Sequence, residues 1–148
     1  MGNKIKGLIK TQLKIIPNGL GDIMHILNHK DSTFNTFEEA YFTKVNYQSI
    51  KGWNKHLKMT LNLVVPVGSV LFYFYDDRKE SPSYHFTQKE LISSENYCRL
   101  TVPPGIWVAS RGISEGTNLV LNIADIVHDD EESLKHSTVG FSVDLESI

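Results

Sequence analysis

The chain has 148 residues, 41% of them hydrophobic and 22% charged, and its 15 basic and 17 acidic residues leave a formal net charge of −2. This length predicts a single domain over 1–148 with one hydrophobic core, and the charge gives no indication of a nucleic-acid partner. The single cysteine excludes an intrachain disulfide. Because no segment has the apolar length of a signal peptide or a membrane span, we expect a cytoplasmic protein with no membrane partner.

Short strand-like segments alternate with turn sequences along the chain, and no segment has a convincing apolar helical period. In chain order, ten strands are predicted, at 7–15, 23–27, 38–47, 50–56, 59–67, 69–75, 85–91, 97–102, 106–110 and 117–125. One helical turn is predicted at 129–134, where acidic residues suit a helix start. The pattern therefore predicts an all-β sandwich or barrel with little helix.

The segment 50–56 carries the most informative polar residues. Asn54 and His56 are two residues apart, so on a strand they share one face. A long apolar run follows at 61–68. We interpret the pair as the polar floor of a small-molecule pocket in an otherwise apolar β-structure.

Two further strands have mixed faces. Along 70–76, the phenols of Tyr73 and Tyr75 fall together, opposite Phe72 and Phe74. Along 119–127, an otherwise apolar run contains an asparagine and Asp125, which face opposite sides of the sheet. A carboxylate inside a barrel requires a donor or a proton, so Asp125 lies at the barrel mouth or has a functional role.

Five segments together resemble the cupin, or double-stranded β-helix, superfamily and, within it, the dTDP-4-dehydrorhamnose 3,5-epimerase group and its shorter relatives. They are 21–25, 51–56, 75–78, 102–107 and 122–132. The resemblance covers about residues 5 to 133. It implies a jelly-roll homodimer, often with an exchanged N-terminal strand, that binds a nucleotide-linked 4-keto sugar inside the barrel and uses no metal or other cofactor.

The cupin metal site can be compared position by position. Many cupins hold a transition metal with a His-x-His pair, a glutamate seven residues before a glycine, and a histidine after a Pro-x-Gly turn. The corresponding residues here are Asn54, His56, Leu61 and Val108. Only His56 can ligate well, whereas such sites need about three or four protein ligands. We therefore expect no metal.

Epimerisation next to a ketone needs a base, a group that stabilises the enolate oxygen and an acid on the opposite face. The family uses the His of an Arg-Gly-x-His signature as base, and a Tyr on the strand near 119–127 as acid. This chain has Lys51 and Asn54 at the Arg and His positions, and Leu121 and Val127 where the Tyr is expected. An asparagine cannot take a proton at neutral pH.

His56 is the remaining base, at a position that is also His in the related sugar-nucleotide 3,4-ketoisomerases. If His56 is the base, Asn54 is a donor to the keto or enolate oxygen. The alternative is that His56 is a core histidine with only a structural hydrogen bond. The acid is chosen from Tyr73, Tyr75 and Asp125, among which the sequence does not decide.

The remaining predicted contacts are with the substrate. Lys51, Lys58 and Arg78 are expected to bind the diphosphate. Trp53 and Trp107 either stack on the ligand or pack as ordinary hydrophobic residues. Asn62, Tyr73 and Asn122 complete the predicted binding set, and Cys98 is interpreted as a small core residue.

The sequence therefore predicts a metal-independent epimerase acting on a nucleotide-linked 4-keto-6-deoxy hexose. Two alternatives remain open. The first is a 3,4-ketoisomerase, which moves the carbonyl. The second is a catalytically silent cupin that binds a sugar nucleotide, an alternative motivated by the loss of the usual base and acid.

Overall fold

The structure is a computed structural model that describes residues 4–136. Its elements, in chain order, are β1 (Ile9–Gln12), β2 (Ile15–Ile16), β3 (Ile23–Met24), β4 (Glu39–Lys44), β5 (Ile50–His56), β6 (Leu61–Val67), β7 (Ser69–Asp76), β8 (Thr87–Ser93), β9 (Cys98–Val102), β10 (Ile106–Gly112), β11 (Leu119–Ala124), a 3₁₀ turn (Asp130–Glu132) and β12 (Ser133–Lys135).

Most of these strands form two five-stranded antiparallel sheets. Sheet I has the order β1-β9-β6-β11-β4, and sheet II has the order β12-β5-β10-β7-β8. A small hairpin of β2 and β3 stands apart from both. The two sheets pack face to face, and the prediction of an all-β cupin jelly roll is confirmed.

The main core lies between the sheets and follows the alternation of side chains along each strand. Leu63 and Val65 enter it from β6, Phe72 and Phe74 from β7, and Leu100 from β9. The intervening residues point the other way. On the outer side of sheet II a second cluster contains Trp53, Leu71, Tyr73, Trp107 and Ala109. As predicted, Tyr73 and Tyr75 share a face opposite Phe72 and Phe74.

The pairing of β5 with β10 contains an irregularity. Val108 pairs with Asn54, but Ser110 pairs with Lys51, so the register shifts between them. Gly52 lies inside this shift with a φ of 129°, and a Cβ there would lie 2.8 Å from both the Ala109 Cα and the Val108 oxygen. The shift lets Lys51 and Asn54, three residues apart, both line the space between the sheets.

The predicted strand bounds agree closely with several elements. β5 begins and ends as predicted, whereas β2 and β12 were not predicted, and the expected helical turn is a 3₁₀ turn at Asp130–Glu132.

Cys98 is buried in the main core, and burial raises the pKa of its thiol. In the described part of the chain, no helix has the length and apolar character needed to cross a membrane.

A buried carboxylate joins the end of β7 to the following loop. The Asp76 side chain is fully buried and accepts hydrogen bonds from Arg78 Nε at 2.8 Å, Ser83 Oγ at 2.6 Å and Ser81 Oγ at 2.8 Å. Burial raises the pKa of Asp76, but these bonds and the Arg78 backbone N–H outweigh it and lower the pKa to about 2. Because an unfolded aspartate titrates near 3.8, folding favours the ionised form.

We expect Asp76→Asn to destabilise the fold by about 2 kcal/mol at pH 7, the value of the lost pKa difference. The wild-type advantage is complete above the unfolded pKa, and it falls as the pH drops from about 4 through 2. Urea unfolding at pH 7 and at pH 3 measures this, with the exposed Asp130→Asn as control. An advantage that stayed constant over this range would contradict the role of Asp76.

Candidate functional site

A cavity of about 200 Å³ lies between the two sheets. Sheet I contributes lining residues from β4, β6 and β11, and sheet II contributes them from β5, β7 and β10. The polar lining residues are Tyr41, Thr43, Lys51, Asn54, His56, Ser110 and Asn122; the apolar ones are Val45, Leu61, Leu63, Phe72, Val108, Ala109 and Val120. Both sheets therefore contribute polar and apolar side chains to the cavity, a mixture that small-molecule sites commonly have.

The imidazole of His56 is held by a buried glutamate. His56 Nδ1 lies 2.8 Å from Glu132 Oε2, and the exposed fractions of the two side chains are 13% and 4%. Glu132 Oε1 accepts the backbone N–H groups of Lys58 at 2.8 Å and Met59 at 2.7 Å. The carboxylate thus receives a hydrogen bond on one oxygen from His56 and on the other from the loop after β5.

These bonds keep Glu132 ionised. Burial raises its pKa, but the hydrogen bonds from His56, Lys58 and Met59, together with the positive charge of a protonated His56, outweigh it and lower the pKa below the usual value. An ionised carboxylate only accepts hydrogen bonds, so the proton between the pair belongs to Nδ1 of His56. The neutral imidazole then has its lone pair on Nε2, which makes no hydrogen bond within residues 4–136.

On the opposite wall, a phenol contacts a buried amide. Asn122 Nδ2 donates to the Tyr41 hydroxyl oxygen at 3.0 Å. Asn122 Oδ1 accepts the backbone N–H of Asn62, also at 3.0 Å. Tyr41 comes from β4 and Asn122 from β11, so both belong to sheet I, whereas His56 belongs to sheet II.

Four other lining side chains have unused hydrogen-bonding capacity. All four line the cavity and make no side-chain hydrogen bond with any residue between 4 and 136; they are Lys51, Asn54, Thr43 and Ser110. Lys51 is exposed, and Asn54 is half-buried. The cavity therefore presents one permanent cation, one amide and two hydroxyls to a ligand.

Four of the predicted site residues line this cavity: Lys51, Asn54, His56 and Asn122. Four others lie on the outer side of sheet II, because alternation turns them away from the cavity; they are Trp53, Tyr73, Tyr75 and Trp107. The Tyr75 hydroxyl lies 2.6 Å from His85 Nδ1, and Trp107 Nε1 donates to Asp77 at 2.7 Å. Tyr73 and Tyr75 are predicted as acid or ligand contacts, but neither phenol faces the cavity.

The remaining predicted residues have structural contacts elsewhere. Arg78 forms its ion pair with Asp76, which occupies the guanidinium expected to bind a diphosphate. Asp125 is buried, and accepts Thr60 N–H at 2.8 Å and Asn35 Nδ2 at 3.3 Å, so it fixes loops rather than lining the cavity. The buried Asn62 side chain accepts from Thr101, and Lys58 is exposed with its backbone bound to Glu132.

Sequence reasoning missed Tyr41, Thr43, Ser110 and Glu132. Tyr41 and Thr43 lie two residues apart in a predicted strand, so the alternation of side chains indicates that they share one face. Glu132 was recognised only as part of an acidic helical turn. Its pairing with His56, 76 residues away, is visible only in the fold.

The cupin metal positions do not form a ligand set in this chain. Val108 and Leu61 line the cavity beside His56 and offer it only hydrocarbon side chains. Throughout 4–136, no three His, Cys, Asp or Glu side chains are grouped so that they could hold a metal ion.

No family model matches the sequence, but the chain is similar to several known proteins. A crystal structure of a dTDP sugar isomerase from Desulfovibrio desulfuricans G20 is 30% identical, with a TM-score of 0.89, over 92% of this chain and 87% of that one. A dTDP-6-deoxy-D-glucose-3,5-epimerase from Legionella pneumophila Philadelphia 1, in complex with dTDP-4-keto-L-rhamnose, is 16% identical, with a TM-score of 0.83, over 94% and 77% of the respective chains.

The third is a probable low-salt glycan biosynthesis epimerase from Haloferax volcanii. It is 24% identical over 96 residues, which are 64% of this chain. The match spans only 62% of the length of that protein.

The fold and the cavity define the protein as a cupin-type jelly roll with an internal polar site. Its similarity to the Desulfovibrio isomerase over most of both chains is more specific. The chain belongs to the dTDP-4-dehydrorhamnose 3,5-epimerase and dTDP-sugar isomerase family, a family of sugar-nucleotide epimerases and isomerases.

The contact between His56 and Glu132 predicts a specific tautomer. In Glu132→Gln the amide oxygen should keep the backbone N–H groups of Lys58 and Met59, which places the amide N–H₂ against His56 Nδ1. His56 must then accept at Nδ1 and carry its proton on Nε2. Nitrogen-15 NMR of the imidazole should show the Nδ1–H form in the wild type and the Nε2–H form in the variant.

The neighbouring Glu131→Gln is the matched control, because Glu131 is exposed. Its imidazole spectrum should equal that of the wild type. An unchanged His56 tautomer in Glu132→Gln would show that this carboxylate does not set the proton position.

Proposed function

We propose that the protein is a metal-independent epimerase that acts on a nucleotide-linked 4-keto-6-deoxy hexose by removing a proton next to the ketone. The observation that carries the proposal is the entry of His56 and Tyr41 into one cavity from opposite sheets. A sugar ring bound between them has a base on one face and a proton donor on the other. Inversion at a carbon next to a ketone requires this arrangement.

His56 is the proposed base. Glu132 holds Nδ1–H and leaves the Nε2 lone pair available, and the ionised carboxylate stabilises the imidazolium that forms when Nε2 takes a proton. Imidazole is the side chain that most often serves as a general base in enzymes. This assignment replaces the histidine that the family keeps at the position of Asn54.

Tyr41 is the proposed acid. The family acid lies on the strand near 119–127, where this chain has Leu121 and Val127, neither of which lines the cavity. Tyr41 lies on β4, which pairs with β11, and its hydroxyl contacts Asn122 of that strand. A phenol from the neighbouring strand thus reaches the sheet I wall of the cavity.

Removal of the proton converts the ketone into an enolate, whose oxygen needs hydrogen-bond donors. Asn54 and Lys51 offer an amide and an ammonium group that have no partner in the part of the chain described. We assign Asn54 to the enolate oxygen. Lys51 is more exposed and suits either this oxygen or the diphosphate, and Lys58 is a second exposed cation for the diphosphate.

The apolar lining residues suit a deoxy sugar, since a 6-methyl group buries better against hydrocarbon than a hydroxymethyl group would. The Legionella epimerase was solved with a dTDP-linked 4-keto sugar, which supports a nucleotide sugar as the ligand class. We also propose a homodimer on the basis of the family. Phe42, on the outer side of the edge strand β4, is 63% exposed and would lie more favourably in an interface.

Solvent exchange tests the proposed base. Wild-type protein incubated with dTDP-4-keto-6-deoxyglucose in D₂O should incorporate deuterium at C3, C5 or both, as measured by NMR. His56→Asn should reduce the exchange rate by about 10² to 10⁴, the usual contribution of a general base. His128→Asn is the control, because His128 is half-exposed and pairs with Asp130.

The outcome has two parts. Exchange at the wild-type rate in a folded His56→Asn variant would exclude His56 as the base. Calorimetric binding of the nucleotide sugar with no exchange in the wild type would instead favour the catalytically silent binding protein.

A second candidate reaction is 3,4-ketoisomerisation, because the Desulfovibrio relative is described as a dTDP sugar isomerase. The two reactions differ in the product. An epimerase keeps the carbonyl at C4 and inverts a neighbouring centre, whereas the ketoisomerase moves the carbonyl to C3. We expect carbon-13 NMR of the product to retain the C4 carbonyl; a C3 carbonyl would establish the isomerase instead.

A further inference from the structure

The amide of Asn122 has one allowed orientation. Its Oδ1 lies 3.0 Å from the backbone nitrogen of Asn62, which can only donate. The atom facing that N–H must therefore be the oxygen, and the atom facing Tyr41 must be the nitrogen. Asn122 is 97% buried, since its exposed fraction is 3%, so water does not compete for these bonds.

This orientation dictates the direction of the Tyr41 hydroxyl. Because Asn122 Nδ2 can only donate, the phenol oxygen accepts that bond, and its own O–H must point elsewhere. Tyr41 has no second hydrogen-bond partner anywhere in 4–136, and it lines the cavity. The phenolic proton is thus left for a ligand in the cavity.

We propose that Asn122 is a positioning residue that directs the Tyr41 proton into the cavity. The proposal rests on the proposed function, in which Tyr41 is the acid. Hydrogen-bond donation runs in one direction: the Asn62 N–H donates to Asn122, and Asn122 donates to the phenol oxygen. The phenol O–H is then directed at the substrate carbon, to which it gives its proton. When Tyr41 transfers its proton, the Asn122 N–H remains in place and stabilises the phenolate oxygen.

Asn122→Asp reverses the direction of the hydrogen bond between residue 122 and Tyr41, and the two side chains have nearly the same shape. At pH 8 the carboxylate accepts the Asn62 N–H on one oxygen and the Tyr41 O–H on the other. The phenol proton then turns away from the cavity. An uncharged second variant, Asn122→Ser, removes the donor without adding an acceptor at the same distance.

The first measurement is carbon-13 NMR of protein labelled at the tyrosine Cζ position. The Tyr41 resonance is assigned by its absence in Tyr41→Phe. It should shift in Asn122→Asp, because the phenol changes from accepting to donating a hydrogen bond. This readout requires no substrate and therefore remains valid if the proposed function is wrong.

The second measurement is catalytic. Asn122→Asp should retain deuterium exchange with retention of configuration, which depends on His56, and should lose about 100-fold in the rate of inversion, as expected for loss of a general acid. Tyr41→Phe should behave in the same way. Adding Asn122→Asp to Tyr41→Phe should cause no further loss, since the amide acts only through the phenol.

Each result supports or overturns the inference. An unshifted Tyr41 resonance in Asn122→Asp, or a further loss of inversion in the double variant, would show that Asn122 does not act through Tyr41. If Asn122→Asp does not fold, as judged by circular dichroism, Asn122→Ser takes its place in both measurements, with a smaller loss that again disappears in the Tyr41→Phe background. Absence of wild-type exchange would count against the proposed function alone.

Discussion

The carboxylate of Glu132 organises the site because three separate groups depend on it. One oxygen receives His56, and the other receives the backbone N–H groups of Lys58 and Met59. A buried carboxylate is costly unless its oxygens are hydrogen-bonded, so each of these contacts offsets part of the cost of burying its charge. Since β12 begins at the next residue and pairs with β5, the same carboxylate joins the edge of sheet II to the strand that carries His56.

The two sheets make unequal contributions to the cavity. Sheet II supplies the imidazole, the amide of Asn54 and the ammonium group of Lys51, whereas sheet I supplies the phenol of Tyr41 and the buried Asn122. The groups that line the cavity therefore have positions set by two different hydrogen-bonded ladders. The imidazole of His56 and the phenol of Tyr41 lie on different sheets, and each has a partner other than the other ring: Glu132 for the imidazole and Asn122 for the phenol.

Alternation along a strand was the most reliable guide from sequence. It placed Asn54 with His56, and it separated the phenols of Tyr73 and Tyr75 from Phe72 and Phe74. Alternation does not tell which face is inside, and it therefore leaves Tyr75 open as an acid although its side chain lies on the outer face of sheet II. The register shift at Gly52 and the pairing of Asp76 with Arg78 depend on neighbouring backbone and loop geometry, which a one-dimensional pattern does not contain.

β5 carries chemistry and packing on alternate positions. Asn54 and His56 face the cavity, whereas Trp53 is fully buried in the outer cluster and Lys55 lies over the Trp107 ring, bound to Asp77. An exchange of a cavity side chain therefore leaves the outward contacts of the strand unchanged. On such a strand the groups that face the cavity can differ between proteins of one fold, while the packing that stabilises the strand is kept.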